Sequence, residues 1–166
     1  MKVAARSNRS PERLKQAIAA DSLLQFLRER IKQSGTPLRG YAEVCKALGY
    51  KSSAGMYAGQ VCSRLDLACY HAGLPMVTLH WVRKPDGSIN SNGLRGWEHY
   101  QEELRAAAEG HVWTPADLDL VQAELDKLPN RGAKPLWKGI EDQDVEAWGR
   151  QLHARVPRWT SLRRNR

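Results

Sequence analysis

The residues best suited to chemistry in this 166-residue chain lie in one stretch, GLPMVTLHWVRKPDGS at residues 73–88. His80 is a candidate general base, because an imidazole with a pKa near ~6.5 exchanges protons at neutral pH. A general base also needs a partner that orients it, and the sequence places no carboxylate beside His80. Asp86 lies in Pro-Asp-Gly, a sequence typical of turns. A hydrolase or nuclease centred on His80 is therefore the most distant of three hypotheses, and no catalytic residue is assigned.

Metal and cofactor chemistry has little support in the residue spacing. Three cysteines, at positions 45, 62 and 69, form neither a CxxC pair nor a Cys/His ligand set. No glycine-rich loop with a following Lys-Ser or Lys-Thr could cradle a phosphate. We expect no metal and no cofactor, and three buried thiols in a reducing cytoplasm. No apolar run approaches the roughly 20 residues of a membrane span, so no membrane association is expected.

The charge of the chain is unevenly distributed. The formal net charge is +8. Basic residues dominate positions 1–96, acidic residues dominate positions 97–149, and positions 150–166 contain arginines but no acid. A basic body with a basic tail favours a polyanionic partner such as nucleic acid.

Three helices are predicted before residue 73. Ser10 and Pro11 form a helix start, and the apolar residues that follow recur at helical spacing as far as Gly35. YAEVCKALGY is a short second helix that ends at Gly49. A third helix, capped by Ser52 or Ser53, runs to about His71. Two helices joined by a short turn predict a helix-turn-helix.

A β-hairpin is predicted to follow this helical unit. MVTLHWVR is rich in β-formers, KPDGS is a turn, and INSNG is the returning strand, so the pair would form a wing. Three further helices are expected in GWEHYQEELRAAAEG, TPADLDLVQAELDKL and EDQDVEAWGRQLHARV. The predicted fold is mostly α with a small β-hairpin, a winged helix-turn-helix core with appended helices. The predicted divisions are an N-terminal helix with the winged-helix-like core at 1–96, an acidic helical region at 97–156 and a basic tail at 157–166.

Five segments carry a family resemblance. They are YAEVCKALGY, SSAGMYAGQV, GLPMVTLHWV, PDGS and NGLRGW. In this order, over residues 41–97, the chain resembles the C-terminal winged-helix domain of the O6-alkylguanine-DNA alkyltransferases and alkyltransferase-like proteins. The resemblance covers about a third of the chain and implies DNA binding. A further likeness of GLPMVTLHWVRKPDG to small phage and mobile-element proteins implies a phage, plasmid or mobile-element origin.

Departures from that family limit what the resemblance implies. Leu79 stands where the family has its acceptor cysteine, and a leucine has no nucleophile, so alkyl transfer is excluded. Met56 falls near the family's helix arginine, which fills the gap left by a flipped base. Tyr41 matches the family's helix-leading tyrosine, which presses on the nucleotide backbone.

The first hypothesis is therefore a non-enzymatic protein that binds double-stranded DNA. Ser, Gln and Arg are usual readers of grooves and phosphates, and a helix N-terminus favours anions. The candidate contacts come from the start of the second helix, the turn that follows it, the third helix, the wing and the tail: Tyr41, Lys51, Ser52, Ser53, Met56, Tyr57, Gln60, Arg64, Arg83, Lys84, Arg163 and Arg164.

The alternative hypothesis is a protein-binding inhibitor or adaptor, for example of a host nucleic-acid-processing defence complex. It would use the acidic helices and exposed tryptophans, because Trp is enriched at interface hot spots. Trp159, which lies among arginines, and Trp148 are the candidate partner contacts.

Overall fold

The fold is helical around one very short sheet. The structure, a computed structural model, describes residues 11–51, 55–89, 100–129 and 137–155. Its elements in chain order are α1 (Pro11–Lys32), β1 (Leu38–Arg39), α2 (Gly40–Ala47), α3 (Gly55–His71), α4 (Val77–Trp81), β2 (Val82–Arg83), α5 (Gln101–Gly110), α6 (Pro115–Lys127) and α7 (Asp142–Arg155). The prediction of a mostly helical chain is confirmed.

Local sequence signals place several helix ends correctly. Within the described residues, α1 runs from Pro11, the predicted first helical residue, to Lys32. Gly49 and Gly73 follow α2 and α3 with φ of 73° and 67°, a conformation that favours glycine and ends a helix. Thr114 caps α6 in a reciprocal arrangement with Asp117. The predicted serine caps of α1 and α3, Ser10, Ser52 and Ser53, lie outside the described residues.

The predicted strand MVTLHWVR is wrong for most of its length, because residues 77–81 form α4. Val77, Thr78, Leu79 and Trp81 are all buried, so this run has no alternating exposed face. The buried carboxyl group of Asp66 accepts a hydrogen bond from the backbone N–H of Thr78 at 3.1 Å, which satisfies a donor in the first turn of α4. A distant side chain thus supports a helix where local propensity favours a strand.

The sheet is parallel, whereas the predicted hairpin is antiparallel. β2 pairs with β1, with Leu38 opposite Val82 and Arg39 opposite Arg83. Of the predicted wing, the described residues contain one antiparallel bridge, which joins Arg83 and Ile89.

The turn at residues 84–88 closes this bridge. The N–H of Gly87 donates to the carbonyl oxygen of Lys84 at 2.8 Å, and the N–H of Lys84 donates to that of Ser88 at 2.8 Å. The Pro-Asp-Gly turn is therefore present as predicted. The predicted returning strand beyond Ile89 lies outside the described residues.

Two apolar clusters hold the helices together. The first joins α1, α3 and α6 and includes Leu23, Leu65 and Val121. The second joins α4, α5 and α7 and includes Leu79 and Trp148. The region predicted as 97–156 thus shares both clusters with the region predicted as 1–96. None of the helices in the described ranges is both long and apolar enough to cross a membrane.

Candidate nucleic-acid interface

The exposed side of α3 is short. Val61, Leu65 and Ala68 face the first apolar cluster. Since a helix turns by about 100° per residue, Gln60 lies on the side away from that cluster, and it is exposed. Further along, the indole N–H of Trp137 donates to the carbonyl oxygen of Ser63 at 3.1 Å and covers the helix there. Gln60 is therefore the exposed residue in the first described turns of α3, whereas most of residues 61–69 are buried and the helix becomes exposed again only at His71.

Tyr41 connects this part of α3 to the neighbouring turn. A Cβ built on Gly59 would stand 3.4 Å from Cε2 of Tyr41, so the tyrosine ring lies directly against α3. The preceding residue, Gly40, lies against the 84–88 turn, since a Cβ added to it would stand 3.2 Å from Cγ of Pro85. Residues 39–41 thus lie between the beginning of α3 and the 84–88 turn.

Tyr50 and Tyr57 lie on the other flank of α3. Their rings meet edge to face, with centroids 5.5 Å apart. Lys51 follows Tyr50 and is exposed. We call the exposed side of residues 39–41, 50–51, 55–60 and 84–88 the helix–turn face.

Two cations lie at the turn end of the helix–turn face. Arg39 is exposed, and its guanidinium lies over Gly87, where an added Cβ would stand 3.1 Å from Cζ. Lys84 is also exposed. Hydrogen bonds from the Ser88 hydroxyl and N–H lower the pKa of Asp86, and the charges of Lys84 and Arg39 lower it further. Both cations therefore lie near Asp86, whose Oδ1 accepts from the Ser88 hydroxyl at 2.6 Å.

Arg64 is not part of an exposed face, so that expectation is wrong. The residue is only 3% exposed. Its guanidinium donates to the carbonyl oxygens of Pro129 at 3.0 Å and Leu128 at 3.3 Å, just beyond the end of α6. These carbonyls have no partner within their own helix, so Arg64 joins α3 to α6 instead of contacting a ligand.

Arg83 is held by its neighbours and does not project from the turn. Its Nε donates to the carbonyl oxygen of His80 at 2.8 Å, and Nη1 lies 3.4 Å from a carboxylate oxygen of Glu109. Only 14% of its side chain is exposed. The prediction of an exposed cation at position 83 is wrong. The exposed arginine beside the 84–88 turn is Arg39 instead.

The ring of His80 accepts a hydrogen bond from Arg83. Arginine can only donate, so the 2.9 Å contact between Arg83 Nη2 and His80 Nδ1 makes Nδ1 an acceptor and leaves the proton of the neutral ring on Nε2. Burial lowers the pKa of His80, Arg83 lowers it further, and Glu109 partly opposes this shift. A neutral ring with a protonated Nε2 cannot accept a proton at that atom.

The three cysteines are buried and unpaired, as expected. Burial raises the pKa of the Cys62 and Cys69 thiols, and the nearby carboxyl group of Asp66 raises them further. Neither thiol is therefore activated as a nucleophile. Among the described residues, no group of three or more His, Cys, Asp and Glu side chains could hold a metal ion.

Trp148 is a core residue, so its assignment to an exposed partner contact is wrong. It is 1% exposed, and its indole N–H donates to the carbonyl oxygen of Leu74 at 3.0 Å. The stripe of Val145, Trp148 and Leu152 on α7 already indicated burial. Other predicted contacts lie outside the described residues: Ser52, Ser53, Trp159, Arg163 and Arg164. Met56 lies within α3, but its side chain is also outside the described part.

No protein-family model, curated protein or solved structure matches this chain. The helix–turn face contains five predicted residues, Tyr41, Lys51, Tyr57, Gln60 and Lys84. It also contains Arg39 and Tyr50, which sequence reasoning missed. The sequence shows that Arg39 is a basic residue directly before Gly40. It does not show that this part of the chain lies beside the 84–88 turn.

Proposed function

We propose that the chain binds double-stranded DNA through the helix–turn face and catalyses no reaction there. The observation that carries the proposal is the continuity of this face. Tyr41 against Gly59 and Gly40 against Pro85 join the beginning of α3 to the turn that carries Arg39 and Lys84. A helix with a basic turn beside it is the arrangement by which a winged helix-turn-helix reads a groove and its flanking phosphates.

Each exposed side chain has a role in this proposal. Gln60 faces solvent near the beginning of α3, where it can donate to and accept from base edges in the major groove. Lys51, Arg39 and Lys84 are exposed cations on either side of the helix and contact phosphates. Tyr41 packs on α3 and positions it relative to the turn.

The resemblance to the alkyltransferase C-terminal domain supports the same face, because it places the helix, the tyrosine and the turn in the same order. Alkyl transfer is not part of the proposal. Leu79 is 2% exposed and lies in the second apolar cluster, so the position that would hold a nucleophile holds a core residue. The phage, plasmid or mobile-element origin, and a cytoplasmic location, remain proposals from the sequence.

Salt-dependent binding to a short labelled duplex tests the proposal by fluorescence anisotropy. With three phosphate contacts, the plot of log Kobs against log salt should have a slope of about −3, because each contact contributes about −0.9. Lys84→Ala and Arg39→Ala should each lower the magnitude of this slope by about 1. Gln60→Ala should weaken binding without changing the slope.

Arg150→Ala is the matched control. Arg150 is exposed on α7, and α7 packs beside the carboxyl end of α3, since Trp148 donates to the carbonyl oxygen of Leu74. The duplex affinity and the slope of this variant should equal those of the wild type. An equal loss in Arg150→Ala and Lys84→Ala would mean that charge alone drives binding, and the helix–turn face would be rejected. A nuclease-resistant stoichiometric protein partner, without duplex binding, would favour the inhibitor hypothesis.

A further inference from the structure

A small pocket lies at the opposite end of α3 from the helix–turn face. Its volume is about 210 Å³, and its described lining comes from the last turn of α3 and from α7: Tyr70, His71, Asp144, Ala147, Trp148 and Gln151. Tyr70 is ten residues beyond Gln60, which is about 15 Å along the helix axis. The pocket is therefore separate from the proposed DNA-binding face.

Asp144 gives the pocket a carboxylate, although the chain has a formal net charge of +8. Neither Lys nor Arg is among the six described lining residues. The carboxyl end of α3, which carries partial negative charge, meets the beginning of α7, which carries partial positive charge. Burial raises the pKa of Tyr70, and the charge of Asp144 raises it further, so the carboxylate lies within electrostatic range of the phenol.

Aromatic rings form a rigid part of the wall. The Tyr70 ring meets Trp148 edge to face, with centroids 5.3 Å apart and planes 79° apart. It meets His71 in a similar way at 5.2 Å. Trp148 is fixed by its hydrogen bond to the carbonyl oxygen of Leu74. Electron-rich ring faces attract organic cations, most strongly when the site is shielded from water.

Asp144 is held in place by a hydrogen bond, and Gln151 lies close to Gly73. A carboxylate oxygen of Asp144 accepts a hydrogen bond from the N–H of Glu141 at 2.8 Å, at the beginning of α7. The Gln151 side chain lies against Gly73, where an added Cβ would stand 2.6 Å from Oε1. Gly73 has a φ of 67°, so glycine is suited to this position by both its backbone and its lack of a side chain.

We propose that this pocket binds an organic cation, an alkylammonium or guanidinium group, with Asp144 as its counter-ion and the half-buried Tyr70 ring, which packs on the buried Trp148, as its wall. The volume is below the roughly 300 Å³ at which pockets for drug-sized ligands begin. A group of the size of a lysine or arginine side-chain end fits this space, whereas a nucleotide does not. The cation is carried either by a free amine or by a side chain of a peptide.

Titration of the full chain followed by NMR tests the proposal, with the indole N–H of Trp148 as the reporter. The probes are tetramethylammonium, butylguanidinium and a capped arginine amide, and tert-butanol is the neutral control. We expect saturable shifts with cations and none with tert-butanol. Tighter binding of the arginine amide than of both free cations would indicate a peptide side chain, and the reverse order would indicate a free amine.

Two variants of α7 separate the site from a general attraction of cations to acidic helices. Asp144→Asn keeps an acceptor for the N–H of Glu141 but removes the charge, so the affinity should fall by about tenfold or more. Glu146→Gln removes an exposed charge from the same helix and should change the affinity less than about twofold. Tyr70→Leu provides a second test of the wall, because it removes the ring without altering the charge.

The inference does not depend on DNA binding. Lys84→Ala, which should weaken duplex binding, should leave cation binding unchanged. The proposal is overturned if no cation gives a saturable shift, if tert-butanol shifts the same resonances equally, or if Glu146→Gln weakens binding as much as Asp144→Asn.

Discussion

The side chain of Asp66 on α3 holds the first turn of α4 through Thr78. Its Oδ1 accepts from the Thr78 N–H at 3.1 Å, and its Oδ2 accepts from the Thr78 hydroxyl. Both residues are buried. Burial raises the pKa of Asp66 to about 7, although the hydrogen bonds from Thr78 act in the opposite direction. The link thus joins two helices through a carboxyl group that titrates near neutral pH.

The stability of the fold should therefore fall as the pH rises through about 7. The folded-state pKa of Asp66 lies above its ordinary value of 3.8, so its stabilisation is fully present below 3.8 and is lost as pH rises through about 7. Between pH 5.5 and 8.5, the free energy of unfolding should fall by about 2 kcal/mol from this group. Urea unfolding of the wild type and of Asp66→Asn at the two pH values measures the effect.

Asp66→Asn should lose this pH dependence, because the amide does not titrate but still accepts from the Thr78 N–H. The lowered pKa of His80 acts with the opposite sign and is common to both proteins, so their difference isolates Asp66. Asp86→Asn, at a fully exposed carboxylate with a lowered pKa, is the control and should retain the loss of stability at high pH. An identical pH dependence in wild type and Asp66→Asn would contradict the assignment.

His80 should titrate below its ordinary range, as the neutral ring with the proton on Nε2. The causes are burial and the guanidinium of Arg83, partly opposed by Glu109. Nitrogen chemical shifts of the imidazole report both the pKa and the tautomer. Glu109→Gln should lower the pKa of His80 further, and Arg83→Gln should raise it. A ring protonated on Nδ1 at neutral pH would show that the contact with Arg83 is not formed in solution.

Arg64→Met should destabilise the fold without changing how the salt concentration affects DNA binding. The substitution preserves much of the side-chain volume but removes the donors to the carbonyl oxygens of Leu128 and Pro129. Leaving buried acceptors without these donors costs about 2–3 kcal/mol in the free energy of unfolding, which urea unfolding measures. The salt slope for duplex binding, measured where the variant is folded, should equal that of the wild type.

Arg28→Met is the control for Arg64. Arg28 pairs with Asp119 at 2.8 Å, but the carboxylate partner is 70% exposed. Its loss should cost less than about 1 kcal/mol, because water screens an exposed ion pair. A reduced salt slope in Arg64→Met would place Arg64 back among the phosphate contacts and contradict the structure.

Features encoded by adjacent residues were predictable from the sequence, whereas those set by distant contacts were not. The glycine that ends α2, Gly49, and the Thr114 cap of α6 follow from residues within one helical turn. The helical state of residues 77–81 depends on Asp66, twelve residues before Thr78, and the run has no exposed face whose period could reveal it. The sequence alone does not show that Asp66 contacts this run, so the helix could not be predicted.

In the candidate site, too, local features were predictable and distant contacts were not. The exposure of Gln60 and Lys84 follows from helix periodicity and turn chemistry, and both were predicted. Arg64 is charged and lies one helical turn after Gln60, so its type and spacing suggested exposure. Only the packing of the end of α6 against α3 buries it. Trp148 is different, because its own apolar stripe indicated the core, and the assignment to a partner contact disregarded that pattern.

Gly87 should be required for the position of Arg39 as well as for the turn. Its φ is 88°, and an added Cβ would overlap the Arg39 guanidinium. Gly87→Ala therefore combines a backbone cost of about 1–2 kcal/mol with displacement of a cation from the helix–turn face. We expect the variant to unfold at lower urea and to lose less of the salt slope than Arg39→Ala does, because the displaced guanidinium keeps its charge.

Gly49→Ala separates these two effects. Gly49 has a similar φ of 73°, but no atom lies within 4 Å of an added Cβ. This variant should therefore lose a comparable backbone contribution to stability and bind the duplex as the wild type does. The double variant Gly87→Ala, Arg39→Ala should bind no more weakly than Arg39→Ala alone, because the alanine at 87 acts on DNA only through Arg39. A further loss in the double variant would mean that the turn backbone itself contacts DNA, and wild-type binding by Gly87→Ala would mean that the Arg39 guanidinium contacts DNA equally well when it is displaced from Gly87.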